Sequence, residues 1–378
     1  MIVIDACGAG ELPDSGEYGD AGANTLGHVA EAAGGLDLPV LGALGLGNIM
    51  PLAGVPPAEE PVVHGRLHPL GPGKDTITGH WELMGVITPV ALRTYPDGFP
   101  DEVLDALSRA TGRGILCNRP YSGTQVIDDF GEQHLATGDL IVYTSADSVL
   151  QIAAHEEKVP LEELYAACAA AREIMTGEHA VGRVIARPFR GEPGAFERTE
   201  GRRDIALDPP GRSYLEELQA AGVPVHTVGK IGQVFNGVGV DEQHKGSTNE
   251  AAIAATGRLI DELDGGFVFV NLVETDQVFG HRNDVEGFHG ALRGIDAAVR
   301  DWLPRLDPER DLLVLTADHG CDPTHPGTDH TREHAPLLAR FAGHEGRRHD
   351  GPFADVGASV LRWLTGRDAD LRGDPFVP

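Results

Sequence analysis

Thr316-Ala317-Asp318-His319-Gly320 closes the apolar run Asp311–Asp318, and Thr328-Asp329-His330-Thr331-Arg332-Glu333-His334 follows it closely. A short apolar run ending in an acidic and an imidazole side chain reads as a buried parallel strand whose carboxyl end opens onto a site. Ile2–Asp5, Val40–Gly45, Val223–Lys230 and Gly266–Val273 read as strands of the same kind. Between them lie helical patterns at Thr25–Ala33, Ser213–Ala221, Thr248–Leu263 and Gly287–Trp302. This alternation predicts a doubly wound α/β sheet. Ligands of such sheets bind beyond the carboxyl ends of the strands. Asp5, Asp276 and Asp318 stand at or just past such ends, so carboxylates far apart in the chain are expected to meet along one edge.

The middle of the chain breaks the pattern. Leu140–Ser145 and Gly182–Pro188 read as strands, Leu161–Met175 as a helix, and the Gly-, Pro- and Arg-rich stretch Arg187–Arg203 as a loop. The core pattern resumes at Ser213. We expect a discontinuous core over residues 1–90 and 207–378, with a smaller α+β cap inserted over residues 91–206.

Composition narrows the function. A chain of 378 residues with a net charge of −28 makes nucleic acid and anionic membranes poor partners. An anionic substrate would need a local cluster of cations or metal. Four cysteines without a C-x-x-C pair point to a reducing cytoplasm rather than a disulfide framework. Cys7 and Cys321 read as small buried fillers. No apolar run is long enough to span a bilayer, and no basic n-region precedes Ile2.

The chemistry-bearing residues form two groups. Asp5, Asp276, His281, Asp318, His319 and His330 supply three carboxylates and three imidazoles, enough for two divalent cations. Mixed ligands of this kind suit Mn²⁺ or Zn²⁺ better than Ca²⁺. Any one such Asp could instead cap the following helix; the set in this order favours metal. The second group is Gly73-Lys74-Asp75-Thr76-Ile77-Thr78-Gly79-His80-Trp81-Glu82, a polar loop running into a helix. Thr76 could be the helix N-cap. Placed at a helix N-terminus beside a cation, its oxygen could equally act as a nucleophile. Thr78 offers a second hydroxyl, and spacing alone does not choose between them. A metal pair ~4 Å apart beside a hydroxyl suits phosphoryl transfer, or hydrolysis through a metal-activated water.

Asp5-x-x-Gly8-x-Gly10-Glu11, Thr25-Leu26-Gly27-His28, Lys74–Glu82, Arg187–Thr199, Asn271–Arg282 and Thr316–Glu333 together resemble the prokaryotic-type phosphopentomutases of the alkaline phosphatase superfamily. The resemblance covers nearly the whole chain. It implies an alkaline phosphatase-like core with an inserted cap, two Mn²⁺ ions per chain and a phosphorylated threonine. It assigns Asp5, Asp318 and His319, with Thr76, to one metal, and Asp276, His281 and His330 to the other. It also selects Thr76 as the nucleophile, three residues before Gly79-His80. Within Tyr143–Ser148, Ser145 and Asp147 become candidate contacts to sugar hydroxyls. Arg183, Arg187 and Arg198, with Lys230 from the core, become candidates for the non-reacting phosphate. The implied reaction interconverts ribose or 2-deoxyribose 1- and 5-phosphates through a 1,5-bisphosphate, with a sugar bisphosphate as activator. A mutase of another sugar phosphate, or a metal-dependent phosphohydrolase on the same scaffold, would share the strand-end ligands. The chain departs from the family pattern at Ala6-Cys7 and Ala9, at Glu274-Thr275, and in Val234–Asn249, which is only partly family-like.

Overall fold

The computed structural model describes residues 1–145, 148–343 and 346–378. Its strands are β1 (Ile2–Ile4), β2 (Val63–His68), β3 (Ile115–Pro120), β4 (Leu140–Thr144), β5 (Val149–His155), β6 (Arg183–Arg190), β7 (Glu197–Arg198), β8 (Arg203–Ala206), β9 (Val225–Val228), β10 (Glu242–His244), β11 (Phe267–Leu272), β12 (Leu313–Thr316), β13 (Ala335–Arg340) and β14 (Gly351–Pro352). The chain divides into two compact units, Met1–Ala91 with Pro209–Pro378, and Leu92–Asp208.

The first unit is an α/β layer structure on an eight-stranded sheet of order β10-β9-β11-β1-β12-β13-β2-β14. From β10 to β12 neighbouring strands are parallel. β13 then runs antiparallel to both β12 and β2. The central parallel strands are covered on both faces: β1, β9 and β12 are buried throughout, as is most of β11. Because they share a direction, the residues just past their ends emerge on one side of the sheet. Asp5 follows β1, Lys230 follows β9, Asp276 follows β11 and Asp318 follows β12.

Two readings of the sequence fail in this unit. Val40–Gly45 is not a strand but part of a helix, Pro39–Leu44. Pro39 occupies its first turn, and Gly45 ends it in the left-handed region at φ 113°. Leu41 and Leu44, three apart, give it a buried face. Thr76, offered as an N-cap, is instead the first residue of the Thr76–Leu83 helix, and Asp75 caps it by accepting from the amides of Ile77 and Thr78.

The second unit is a six-stranded mixed sheet, β3-β4-β5-β6-β7 with β8 paired to β6. Its helices Asp101–Thr111 and Leu161–Ile174 bury Val103, Leu107, Leu164 and Cys168 against Val184 and Ala186 of β6. The opposite face carries Tyr143, Ala153 and Phe189. Arg187–Arg203, expected as a loop, is strand at its ends and in its middle and loop between: β6 continues to Arg190, β7 covers Glu197–Arg198, and β8 begins at Arg203.

Candidate metal centre

Asp5 is fully buried, one residue beyond β1, and the chain turns sharply after it: Ala6 has φ 60°, the left-handed region that a side chain bearing Cβ adopts at a cost of about 1–2 kcal/mol. That turn aims the Ala6 amide at Asp318, which accepts it through Oδ1 at 3.2 Å. Asp276 lies in a single π-helical turn, Thr275–Phe279, followed by a tight turn carrying His281. Such turns are uncommon and concentrate at functional sites.

These elements bring the six candidate ligands together in overlapping groups: Asp5, Asp318 and His319; Asp276, His319 and His330; and Asp276, His281 and Cys321. His319 Nε2 stands 3.5 Å from Asp5 Oδ1 and 3.3 Å from Asp318 Oδ2. Asp276 Oδ1 lies 3.3 Å from His281 Nε2 and 3.2 Å from His330 Nε2. Two of the imidazoles are oriented from behind: His281 Nδ1 donates to the Thr328 carbonyl at 2.7 Å and His319 Nδ1 to the Gly320 carbonyl at 3.1 Å. This turns each Nε2 toward the carboxylates, the orientation that metal-ligating histidines adopt.

A donor set for a cation can be told from a hydrogen-bond network by its orphans. Both oxygens of Asp5, Oδ1 of Asp276, Oδ2 of Asp318 and Nε2 of His330 are buried without a hydrogen-bond partner among the described residues. Buried polar atoms left unpaired are costly, and several in one place call for a common partner. Asp276 Oδ1 lies 3.2–3.3 Å from the Nε2 atoms of both His330 and His281 without a hydrogen bond, and it groups closely with His281 and Cys321 on one side and with His319 and His330 on the other, donor sets that suit a cation. The residues therefore fit divalent metal of intermediate softness.

Electrostatics agree. Burial raises the Asp5 pKa, and the neighbouring Asp318 charge raises it further. Burial also acts on Asp318 and Asp276, but His319 and His80 in the first case, and His281 and His330 in the second, outweigh it and hold both below the usual carboxylate range. Burial lowers His319 to about 4, so it is a neutral donor.

Thr76 Oγ1 sits 3.1 Å from His319 Nε2. Thr78 is committed elsewhere: its hydroxyl donates to Asp75 Oδ2 at 2.7 Å, and its side chain is buried. Lys230 Nζ lies 3.6 Å from Asp5 Oδ2. Gly79 lets the helix approach Asp318 closely, since a Cβ there would stand 2.3 Å from the Asp318 carbonyl oxygen.

Supporting residues escaped the sequence reading. His80 Nδ1 donates to the Thr76 carbonyl at 2.7 Å and passes 3.0 Å from Asp318 Oδ2. Buried Glu333 accepts from the amides of Gly10 and Thr25 and from the hydroxyls of Thr25 and Thr331. Arg332 pairs with Asp14 at 2.9 Å and donates to the Gly73 carbonyl at 2.7 Å. Most of their partners are distant in sequence, and the local signal was their place inside the quoted motifs.

Of the residues proposed for substrate, Arg183, Arg187, Arg198 and Ser145 belong to the second unit, and Asp147 lies outside the described residues. Arg187 Nε donates to Gln151 at 3.0 Å, and Arg198 Nε to the Gly123 carbonyl at 3.0 Å. Both face Tyr143, together with Arg202, which was not singled out. Burial lowers the Arg187 pKa, and the charges of Arg202 and Arg198 lower it further. Arg183 stands apart, 3.8 Å from Asp204 and partly exposed. Ser145 is half-buried at the end of β4.

Residues 1–366 match the model of the Metalloenzyme superfamily. A phosphopentomutase from Caldanaerobacter subterraneus subsp. tengcongensis is 50% identical over 95% of this chain and 92% of its own length. One from Anaeromyxobacter dehalogenans is 51% identical over 96% of this chain and 94% of its own. The chain belongs to the phosphopentomutase family. The PH0037 protein from Pyrococcus horikoshii matches in structure with a TM-score of 0.51 at 15% identity, over 98% of each chain, a likeness of fold alone. Membership of the metalloenzyme superfamily carries metal dependence with it, and the isomerase class follows from the mutase family. No helix among the described residues is long and apolar enough to cross a membrane.

Proposed function

We propose that this phosphopentomutase moves a phosphoryl group between O1 and O5 of ribose or 2-deoxyribose by way of Thr76 Oγ1. The observation that carries the choice of residue is the division between the two hydroxyls. Thr76 Oγ1 is 3.1 Å from His319 Nε2, whereas Thr78 Oγ1 is held by the helix cap. In the resting enzyme Thr76 is phosphorylated. The free hydroxyl of a bound pentose phosphate attacks phosphorus; the P–Oγ1 bond breaks, a P–O bond to the sugar forms, and the proton of the sugar hydroxyl ends on Thr76 Oγ1. The bound 1,5-bisphosphate then reorients and returns its other phosphoryl group to Thr76.

Asp5, Asp318 and His319 would hold one Mn²⁺ beside Thr76, and Asp276, with His281 and His330 each within 3.3 Å of its Oδ1, would hold the other. Such ions neutralise charge on the transferring phosphoryl oxygens. Helix N-terminal amides near Thr76 favour negative charge in the same place. Lys230, beside Asp5, offsets anionic charge there. In the second unit we assign Arg187 and Arg198, with Arg202, to the non-reacting phosphate, because guanidinium groups clustered around a buried tyrosine suit that ion. Arg183, Ser145 and Asp147 are assigned to the remaining phosphate and sugar contacts. A sugar bisphosphate primes Thr76. Unpaired Cys7, Cys117, Cys168 and Cys321 support a cytoplasmic enzyme, and the charge of −28 supports a small-molecule substrate over nucleic acid.

The test is incubation with ribose 1-phosphate, Mn²⁺ and a sugar bisphosphate. Ribose 5-phosphate should accumulate, and mass spectrometry should find phosphate on Thr76. Release of inorganic phosphate in place of the isomer, or phosphate on Thr78, overturns the reading.

A further inference from the structure

Val234–Asn249, which is only partly family-like, contains β10, the edge strand of the core sheet. β10 pairs in parallel with β9 so that Glu242 lies opposite His226, and His244 lies opposite Val228. Gln243 faces the other way, against the backbone of Gly232. Glu242 and His244, two residues apart, therefore share one face with His226.

On that face three donor atoms converge. His226 Nδ1 is 3.2 Å from His244 Nε2, and Glu242 Oε2 is 3.6 Å from His226 Nδ1 and 3.7 Å from His244 Nε2. The imidazoles stack with centroids 5.4 Å apart and planes inclined by 22°. One N–H···N bond would account for the imidazole pair, but it leaves the carboxylate beyond hydrogen-bond reach of both rings. A point equidistant from the three atoms lies about 2.0 Å from each, the bond length of zinc to imidazole nitrogen and carboxylate oxygen. His226 is buried and fixed in the sheet, while the Glu242 side chain is 63% exposed, so an ion has a rigid anchor and an open approach.

We propose that His226, Glu242 and His244 form a second metal site, separate from the strand-end cluster. Two imidazoles and one carboxylate select a borderline transition-metal cation such as Zn²⁺ over Mg²⁺ or Ca²⁺. Solvent completes the coordination. The ion bridges the edge strand to its neighbour and brings its charge to an otherwise open sheet edge.

Equilibrium dialysis of the manganese-loaded protein against Zn²⁺, with both metals counted by mass spectrometry, tests this. The summed zinc and manganese per chain should fall by one in His226→Gln, His244→Ala and Glu242→Gln, while mutase turnover with Mn²⁺ stays at the parent value. Glu242→Gln changes an exposed side chain and keeps the fold in any case; its Zn²⁺ dissociation constant at this site should rise at least tenfold. Equal metal totals and affinities in the parent and the three variants overturn the proposal. His281→Ala, which alters the strand-end cluster instead, separates failure of that assignment from failure of this one.

Discussion

Replacing Gly79 with Ala perturbs the centre without removing any donor atom. The added Cβ would stand 2.3 Å from the Asp318 carbonyl oxygen, 2.9 Å from its carbonyl carbon and 3.0 Å from its Cβ. Two of the three are backbone atoms, so no flexible side chain can swing aside. To reach 3.0 Å the Thr76–Leu83 helix and the end of β12 must separate by about 0.7 Å. Overpacking of this kind costs about 1–3 kcal/mol. Thr76 is carried on the same helix, three residues earlier, and Asp318 precedes the imidazole it faces. A displacement approaching 1 Å between reacting groups costs on the order of 100-fold in rate. Steady-state mutase assays should thus show turnover reduced by roughly one to two orders of magnitude, with bound Mn²⁺ retained and the melting temperature lowered. Gly290→Ala is the control: it lies in the Val285–Trp302 helix, and its Cβ would meet nothing within 4 Å. It should leave turnover unchanged and raise stability by about 0.5–1 kcal/mol. Parental turnover in Gly79→Ala would refute the claim that the spacing between this helix and Asp318 sets the position of Thr76.

Thr76→Ala should abolish isomerisation while metal still binds, whereas Thr78→Val should lose about 1 kcal/mol of stability with its cap bond and keep most turnover; the reverse ranking would move the nucleophile. His281→Ala should lower bound manganese by about one ion per chain; an unchanged count would remove it from the ligand set. Arg187→Ala should raise KM about tenfold or more with little change in kcat; parental kinetics would exclude it from phosphate binding. Burial lowers the pKa of His134, whose Nδ1 donates to the Asp139 carbonyl and whose Nε2 accepts the His155 amide. The unfolded imidazole takes up its proton first, so stability holds above about pH 6.5 and falls below it by at most about 1.4 kcal/mol per pH unit until the folded pKa is passed; denaturant melts from pH 7.5 to 5 should show that slope, reduced in His134→Gln.

The strands that position the centre were legible because burial on both faces leaves an uninterrupted apolar run. β1, most of β11 and β12 are of this kind, while β9 is buried throughout but carries His226 and Thr227. β2 and β13 were not read: His64, Arg66 and His68 interrupt the first, and Pro336, the second residue of the other, reads as a breaker. Val40–Gly45 misled because a short apolar run carries no period, and the deciding residues, Pro39 and Gly45, act on the backbone instead. In the site, Asp5 and the Asp318-His319 pair could be read from their places at strand ends, and Asp276, His281 and His330 from the short turns and loop that follow. Their supports could not. His80 and Glu333 each act through partners whose proximity is a product of the sheet order, and nothing near them in sequence announces it.

The helix cap shows how a local choice reaches the chemistry. Threonine in the first turn of a helix usually turns its hydroxyl back onto the backbone. Here Asp75 takes the N-cap position and bonds the amides of Ile77 and Thr78 through Oδ1, at 3.0 and 3.1 Å. Its other oxygen takes the Thr78 hydroxyl at 2.7 Å. Both Asp75 carboxylate oxygens are thus engaged by Ile77 and Thr78, and the Thr76 hydroxyl faces His319 at 3.1 Å. The Asp75-Thr76-Ile77-Thr78 order therefore does more than start a helix: one carboxylate satisfies the turn and the rival hydroxyl together, and the remaining oxygen is directed at the buried donors. Moving the cap one residue along the chain would keep the helix and lose that orientation.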